Sequence, residues 1–401
     1  MRKKSPFFNR ATLPLLIGLI ALLIIVNYLL HVWPTAAETL QALCAAVIGV
    51  GITSLITCVL LRYQSQNDSA RERDAKIYEH KLIIFQEFLN DISNIVEDGK
   101  ITIEEAKELG YVIPDNYEED VVPKLNFYYT DRAIELCVKY DMGLRGHTLV
   151  WHSQTPGWFF RENYDRNGAL VSPEVMDARL EFYIRSVMGH VYDNEKGTVV
   201  YSWDVVNEFI HSDGVGWQEV YGQEEGFKAE FVKKAFQIAD DVLKQYGIRD
   251  QVSLLYNDYG TYGIIAQILE LLEFINSDGK VCDGVGMQSH LSDNDDPHPI
   301  KYITAMKKFL EAGYEVQITE LDVGSTNEMY QANYFYDIMK RVLALKKEGA
   351  NITGITLWGL ADTNSWRSDE KPLLYKTLKT PKASYYKVLE AYVDAGLYTE
   401  E

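Results

Sequence analysis

The stretch Trp203-Asp204-Val205-Val206-Asn207-Glu208-Phe209 follows Thr198, Val199, Val200 and Tyr201, a run of β-formers. It reads as a buried strand that ends in charge. A carboxylate at the end of a buried strand is costly unless it is paired or used. Glu208 therefore belongs either to a hidden ion pair or to a reaction. Segments of the same kind recur along the chain. The expected strands are residues 142–150, 198–206, 252–258, 284–290, 315–322 and 354–360. Helical stretches separate them, such as GFKAEFVKKAFQIADDVLKQYG and YQANYFYDIMKRVLALKKEG. Strands alternating with helices imply a parallel sheet. The 112 positions from Glu208 to Glu320 cover three strand steps. That pace, about 37 residues per step, suits a β/α barrel of about 250 residues. An open doubly wound sheet has less support, because no G-x-G-x-x-G follows any strand.

The strand ends decide between the two. His147, Trp151 and His152 close the first expected strand, Asn207 and Glu208 the second, and Asn257 and Asp258 the third. Gln288 and His290 close the fourth, Glu320 and Asp322 the fifth, and Trp358 the sixth. In a β/α barrel these carboxyl ends converge on one face, where active sites lie. One polar strand end is explained by an ion pair; six in succession are not explained by packing.

Glu208 and Glu320 suit the two-carboxylate chemistry of retaining glycoside hydrolysis, which needs carboxyl groups about 5–5.5 Å apart. One must carry a proton to the leaving oxygen; the other must be ionised to attack the sugar carbon. The motifs GHTLVWHSQTPGWFF, WDVVNE, LLYNDYG, GVGMQSH, ITELDV and GITLWGLADTNSWR resemble the successive strand-end motifs of glycoside hydrolase family 10, the endo-β-1,4-xylanases. The resemblance runs from about Pro123 to about Leu397, in family order and spacing. It implies a (β/α)8 barrel and a retaining endo-1,4-β-xylanase. By the resemblance, Glu208 is the acid/base and Glu320 the nucleophile. Asn207 would bond the sugar 2-hydroxyl, and His290, with Asp322 behind it, would orient the nucleophile. Gln288 would touch the acid/base or the nucleophile region and help reset protonation, while His147 and Trp151 would line the subsite of the cleaved sugar. Trp358 and Trp366 would stack on or cap that sugar, and Tyr259 would face the leaving group.

Composition agrees. The 27 Tyr, 15 Phe and 7 Trp supply flat platforms suited to sugar rings as well as to a core. A net charge of −19 argues against a nucleic-acid partner. His147, His152 and His290 lie on separate motifs without ligand spacing, so neither a metal nor a cofactor is expected. Cys44, Cys58, Cys137 and Cys282 form no C-x-x-C pair and indicate no disulfide framework.

The N-terminal third reads differently. Residues 13–33 and 40–61 are each apolar enough and long enough to span a bilayer. Arg2, Lys3, Lys4 and Arg10 precede the first; Arg62, Arg71, Arg73, Lys76 and Lys81 follow the second; the loop between has no Lys or Arg. The charge rule places both ends, and the catalytic domain, in the cytoplasm, whereas the family resemblance suggests an extracellular or periplasmic role. The expected organisation is a two-helix membrane hairpin over 1–62, a helical linker segment over 63–122 and the barrel domain over 123–401. An apolar helical face runs through residues 76–95, with no strand expected before Tyr111-Val112-Ile113. Asn94 to Glu105 has EF-hand-like spacing, but Val96 removes a ligand, and a helix cap at Thr102 explains the same residues. An E-N-x-x-K motif, expected at the end of the family's second strand, does not precede residue 123. The expectation is therefore an incomplete barrel of six strands, lacking the first two and fused to an unrelated membrane segment. The alternative function is a catalytically impaired, membrane-anchored carbohydrate-binding remnant, or a chimeric gene product. Another β/α-barrel specificity, such as a cellulase, is a third reading.

Overall fold

The computed structural model describes residues 96–212, 214, 216–222, 227–292 and 297–397. The chain divides into two compact units, Met1–Ile77 and Tyr78–Glu401, and every described residue lies in the second. The expected membrane spans and the helix at 76–95 lie outside the described residues. Among the described residues, no helix is long and apolar enough to cross a membrane.

The described chain begins with a strand, β1 (Val96–Thr102), where a helical segment was expected. Gly99 and the β-branched Val96, Ile101 and Thr102 disfavour helix there, and the apolar periodicity ends at residue 95. The cap at Thr102 is present. Thr102 Oγ1 accepts from Glu105 N–H, and the Glu105 carboxylate accepts from Thr102 N–H, a capping box that starts α1 (Ile103–Glu108). Residues 111–113 are irregular rather than extended. β1 pairs antiparallel with β2 (Val121–Leu125).

Helix α2 (Tyr128–Lys139) leads into the main sheet. Its strands are β3 (Leu144–Trp151), β4 (Val200–Asn207), β5 (Ser253–Asp258), β6 (Gly284–Met287), the short β7 (His290–Ser292), β8 (Glu315–Gly324) and β9 (Ile352–Leu357). Pairing runs β3-β4-β5-β6-β8-β9, parallel throughout, with β7 alongside the end of β8. All six expected strands are present and in sequential order. The expected fourth strand, 284–290, is broken: Ser289 takes a positive φ of 68°, so the chain turns between β6 and β7.

Helices α3 (Pro173–Asp193), α4 (Trp217–Tyr221), α5 (Glu230–Gln245), α6 (Ile265–Ile275), α7 (Pro299–Glu311), α8 (Glu328–Lys347) and α9 (Ala383–Asp394) follow in order. The long helices pack in succession, α3 on α5, α5 on α6, and on to α8 and α9. In α5, Phe231, Val232, Ala235, Phe236, Ala239, Val242 and Leu243 are buried, the i, i+3/i+4 stripe of a helix lying on a sheet. β8 is buried over its whole length, as expected of a parallel strand covered on both faces. The sheet curls. His147 on β3 and Trp358 just past β9, at opposite ends of the strand order, bring their rings to 5.7 Å between centroids.

Polar residues fill part of the interior. Glu315 accepts from Ser253 Oγ at 2.7 Å and from Gln317 Nε2 at 2.8 Å, with Thr353 Oγ1 as a third donor. The N-terminal segment is tied to the rest by Arg179, which is fully buried. Its guanidinium pairs with Glu119, donates to Phe159 O and Arg161 O, and lies 3.8 Å from the Tyr164 ring centroid. A buried guanidinium left without such partners costs several kcal/mol, about 3–5, and through it Glu119 in the N-terminal segment is tied to the stretch from Phe159 to Tyr164.

Candidate active site

The carboxyl ends of the strands carry the site, and slips in strand register help aim the side chains. Between Ile318 and Leu321, β8 advances three residues while β9 advances two, from Ile355 to Leu357. This irregularity lets the consecutive residues Thr319 and Glu320 both reach Asn257, whereas regular pleating would send them to opposite faces. Thr319 Oγ1 donates to Asn257 Oδ1 at 2.7 Å, and Asn257 Nδ2 donates to Glu320 Oε1 at 2.8 Å. β3 slips in the same way between His147 and Val150 against Asp204 and Val206. Gly286 makes room for Asn257: a Cβ there would sit 2.3 Å from Asn257 Oδ1.

Glu320 is 4% exposed. Besides Asn257 it meets His290, whose Nε2 lies 3.1 Å from Oε2. Burial pushes the Glu320 pKa up. The His290 hydrogen bond, the charges of His147 and His290, and the Asn257 amide together outweigh it and hold the carboxyl below its usual range. Behind His290, Asp322 Oδ2 lies 3.0 Å from Nδ1. Burial acts to lower the His290 pKa, but the hydrogen bonds and charges of Asp322 and Glu320 raise it to about 9. Asp322 is in turn fixed by Arg367 Nη1 at 2.6 Å and by the Trp366 indole N–H at 3.3 Å. His147 Nδ1 lies 2.8 Å from Asp204 Oδ2, and Asp204 also pairs with Arg145. Burial lowers the His147 pKa, but the bond to Asp204 and the charges of Glu320 and Asp204 raise it overall.

Glu208 has different surroundings. It ends β4 in the left-handed region, φ 56°, which is uncommon for a residue with a side chain and costs of order 1–3 kcal/mol. Its N–H donates to Asn257 O at 2.9 Å and its C=O accepts from His211 N–H at 3.1 Å, so the turn is held on both sides. Its carboxylate takes one hydrogen bond from the Trp151 indole N–H, 2.8 Å to Oε2, and one from the Gln288 amide, 2.7 Å to Oε1. Both donors are neutral. Asn207, 2% exposed, accepts at Oδ1 from Asn257 Nδ2 at 2.8 Å and from Gln288 Nε2 at 3.1 Å. With its oxygen engaged twice, Asn207 turns its NH₂ group to the role of donor.

One cavity of about 600 Å³ collects these groups. His147, Trp151, Asn207, Glu208, Tyr259, Gln288, His290, Glu320, Trp358 and Trp366 all line it, and Asp322 stands behind His290. Trp366 is 67% exposed at the rim. His152 is not among the lining residues. Three connecting residues were not foreseen in these roles. Asn257 bridges Asn207 and Glu320, Asp204 orients His147, and Arg367 anchors Asp322. Asn257 had a signal, its place at a strand end; the other two had none at the level of spacing.

The profile of glycosyl hydrolase family 10 matches residues 85–391. The match begins well ahead of Pro123, so the segment expected to be foreign to the barrel belongs to the family region from residue 85 onward. Endo-1,4-beta-xylanase A of Butyrivibrio fibrisolvens is 47% identical over 294 residues, covering 73% of this chain and 71% of that protein. The bifunctional endo-1,4-beta-xylanase of Ruminococcus flavefaciens is 39% identical over 268 residues, covering 64% of this chain but only 26% of that larger protein. Among solved structures, the CBM22-1–GH10 modules of Clostridium thermocellum xylanase 10B, complexed with xylohexaose, match with a TM-score of 0.58 at 29% identity, over 69% of this chain and 57% of that one. Strand-end chemistry, curled parallel sheet and family profile agree: the chain belongs to glycosyl hydrolase family 10.

Proposed function

We propose that this protein is a retaining endo-1,4-β-xylanase that cleaves xylan or xylo-oligosaccharides, with Glu208 as acid/base and Glu320 as nucleophile. The observation that carries the reading is the contrast between two carboxylates in one cavity. Glu320 is buried against His290 and within the field of His147, and it is held ionised; among the described residues, the Glu208 carboxylate takes its hydrogen bonds from neutral donors. Retaining hydrolysis needs one carboxylate to attack and another to deliver a proton.

Glu320 attacks the anomeric carbon while Glu208 protonates the departing glycosidic oxygen. A covalent glycosyl-enzyme forms, and the sugar on the leaving side departs. Glu208, now ionised, takes a proton from water, which attacks the same carbon and releases Glu320. Asn207 donates to the 2-hydroxyl, a contact that strengthens as positive charge develops on the ring. Gln288 touches both Glu208 and Asn207, so it couples the proton carrier to the residue that grips the sugar. Trp358 and Trp366 offer apolar faces to the ring, and Tyr259 stands on the leaving-group side. The sugar carries neutral hydroxyls, which hydrogen-bonding amides and aromatic faces can recognise. The intact support of Glu320 favours an enzyme over a binding remnant.

The test is stereochemical. Proton NMR of the first product from an aryl β-xylobioside should show the β-anomer before mutarotation. Nascent α-anomer, or a folded protein without turnover, would sink the reading. Membrane attachment through 13–61, with the catalytic domain inside, is a separate part of the proposal. A reporter fused after residue 65 should be active on the cytoplasmic side; activity on the other side contradicts it.

A further inference from the structure

Glu208 does not merely end a strand. The turn that follows it, Phe209–His211, folds back toward the end of β5. Ile210 N–H donates to Tyr256 Oη at 3.1 Å, and His211 Nδ1 lies 2.7 Å from Asp258 Oδ1. Asp258 is fully buried and also accepts from Tyr259 N–H at 2.8 Å and from Tyr256 Oη–H. A buried carboxylate with three donors is a rigid anchor. The His211 imidazole, locked by that anchor, lies flat beneath the Tyr259 ring, with centroids 3.8 Å apart and planes inclined by 19°. One face of Tyr259 is therefore covered. The residue lines the cavity and is 41% exposed.

We propose that His211 is a positioning residue. Pinned to Asp258, it backs the Tyr259 ring so that the other face stays set as a platform for the leaving-group sugar, in register with Glu208. The inference rests on the xylanase reading and adds a specificity device to it. His211 follows Glu208 by three residues and touches Asp258 at the end of the next strand and Tyr259 just beyond it, so it ties the proton carrier to the platform that holds the group it protonates. Without the imidazole, Tyr259 loses the support of one ring face, and a leaving xylose loses part of a pre-set surface. A leaving group too small to reach the platform is insensitive to it. Binding to parts of the substrate away from the reacting bond shows itself in turnover when it positions the transition state.

The experiment compares xylopentaose, which places xylose on the leaving side, with β-xylobiosyl fluoride, which places only fluoride there. In the full chain, His211→Ala should lower the ratio of the two kcat/KM values about tenfold. Part of the loss should lie in kcat, because the platform sits beside the proton donor. His211→Asn retains an N–H for Asp258 but not the stacked ring. It guards against a folding defect and should show the same fall in ratio. In a Tyr259→Ala background, His211→Ala should add nothing further. A ratio unchanged in a folded His211→Asn protein overturns the proposal, as does full additivity with Tyr259→Ala. A wild-type chain that cleaves neither substrate instead overturns the xylanase reading on which the proposal stands.

Discussion

The walls of the cavity that carry Glu320 and Glu208 are assembled from different materials. On the β8 side, Glu320 belongs to a chain of charged groups: His290 between Glu320 and Asp322, with Arg367 behind Asp322. On the β4 side, Glu208 stands on a left-handed turn and receives an indole N–H and an amide N–H. The residues between them are shared, since Asn257 and Gln288 connect both sides through Asn207. Two side chains of one chemical type thus have different neighbours, and on the proposed assignment those neighbours give them separate duties. A charge-lined wall fixes a carboxylate in its ionised form; a wall of neutral donors positions one that must gain and lose a proton.

The comparison breaks most visibly at the proposed nucleophile. Glu320→Ala should lower kcat on xylo-oligosaccharides by about 10⁴-fold or more, as removal of a covalent nucleophile does elsewhere. Steady-state kinetics measure it, and a loss of less than tenfold would remove Glu320 from its role. Glu208→Ala should cost about 10²–10⁴-fold on the same substrates, the usual size of acid–base assistance. The loss should shrink for an activated aryl leaving group that needs no proton; equal losses on both would contradict the assignment.

A pH experiment sharpens the contrast between the walls. The folded pKa of His290 is raised to about 9. Its contribution to stability is therefore complete below the unfolded value of about 6.5 and fades as pH rises through about 9. Glu320 runs the other way. Its lowered pKa contributes stability above the usual carboxylate range, lost as pH falls through the folded value. Thermal melting of the wild type should weaken between pH 7 and about 9.5, and Asp322→Asn should flatten that slope by loosening the hold on the His290 proton. Parallel profiles for the two proteins would show that His290 is not the group involved. The smallest expected effect is at the shared bridge. Gly286→Ala crowds Asn257 and should cost about 1–3 kcal/mol in denaturant unfolding, with activity lowered through a displaced bridge. An unaffected unfolding midpoint would mean that the interior yields at no cost.

Much of this arrangement was legible in the chain. Each of the six strands announced itself by a short extended segment closing in polar or aromatic residues, and the (β/α)8 pace brought those ends together. The side-chain partners were less legible. Asn207, Asn257 and Glu320 meet only because three strands adopt a particular register, and the slip between Ile318 and Leu321 that turns Thr319 inward leaves no mark in composition. Arg367 reaches Asp322 from a loop beyond the last strand, a distance of 45 positions that no local pattern encodes. β1 was hidden for a different reason. The helical periodicity stops at residue 95, and the β-formers that follow Gly99 are too few to mark a strand against the periodicity that precedes them. His211 carries no signal in the sequence; only the fold brings its ring beneath Tyr259.

The central claim, that the two walls divide attack from proton delivery, is tested most directly by chemical rescue with azide. In Glu320→Ala, azide should enter from the vacated nucleophile's side and give the α-xylobiosyl azide from an activated aryl xylobioside. In Glu208→Ala, the covalent intermediate still forms, and azide should intercept it to give the β-xylobiosyl azide. NMR of the two products reads the answer. The reverse pairing, or the same anomer from both variants, would contradict the account.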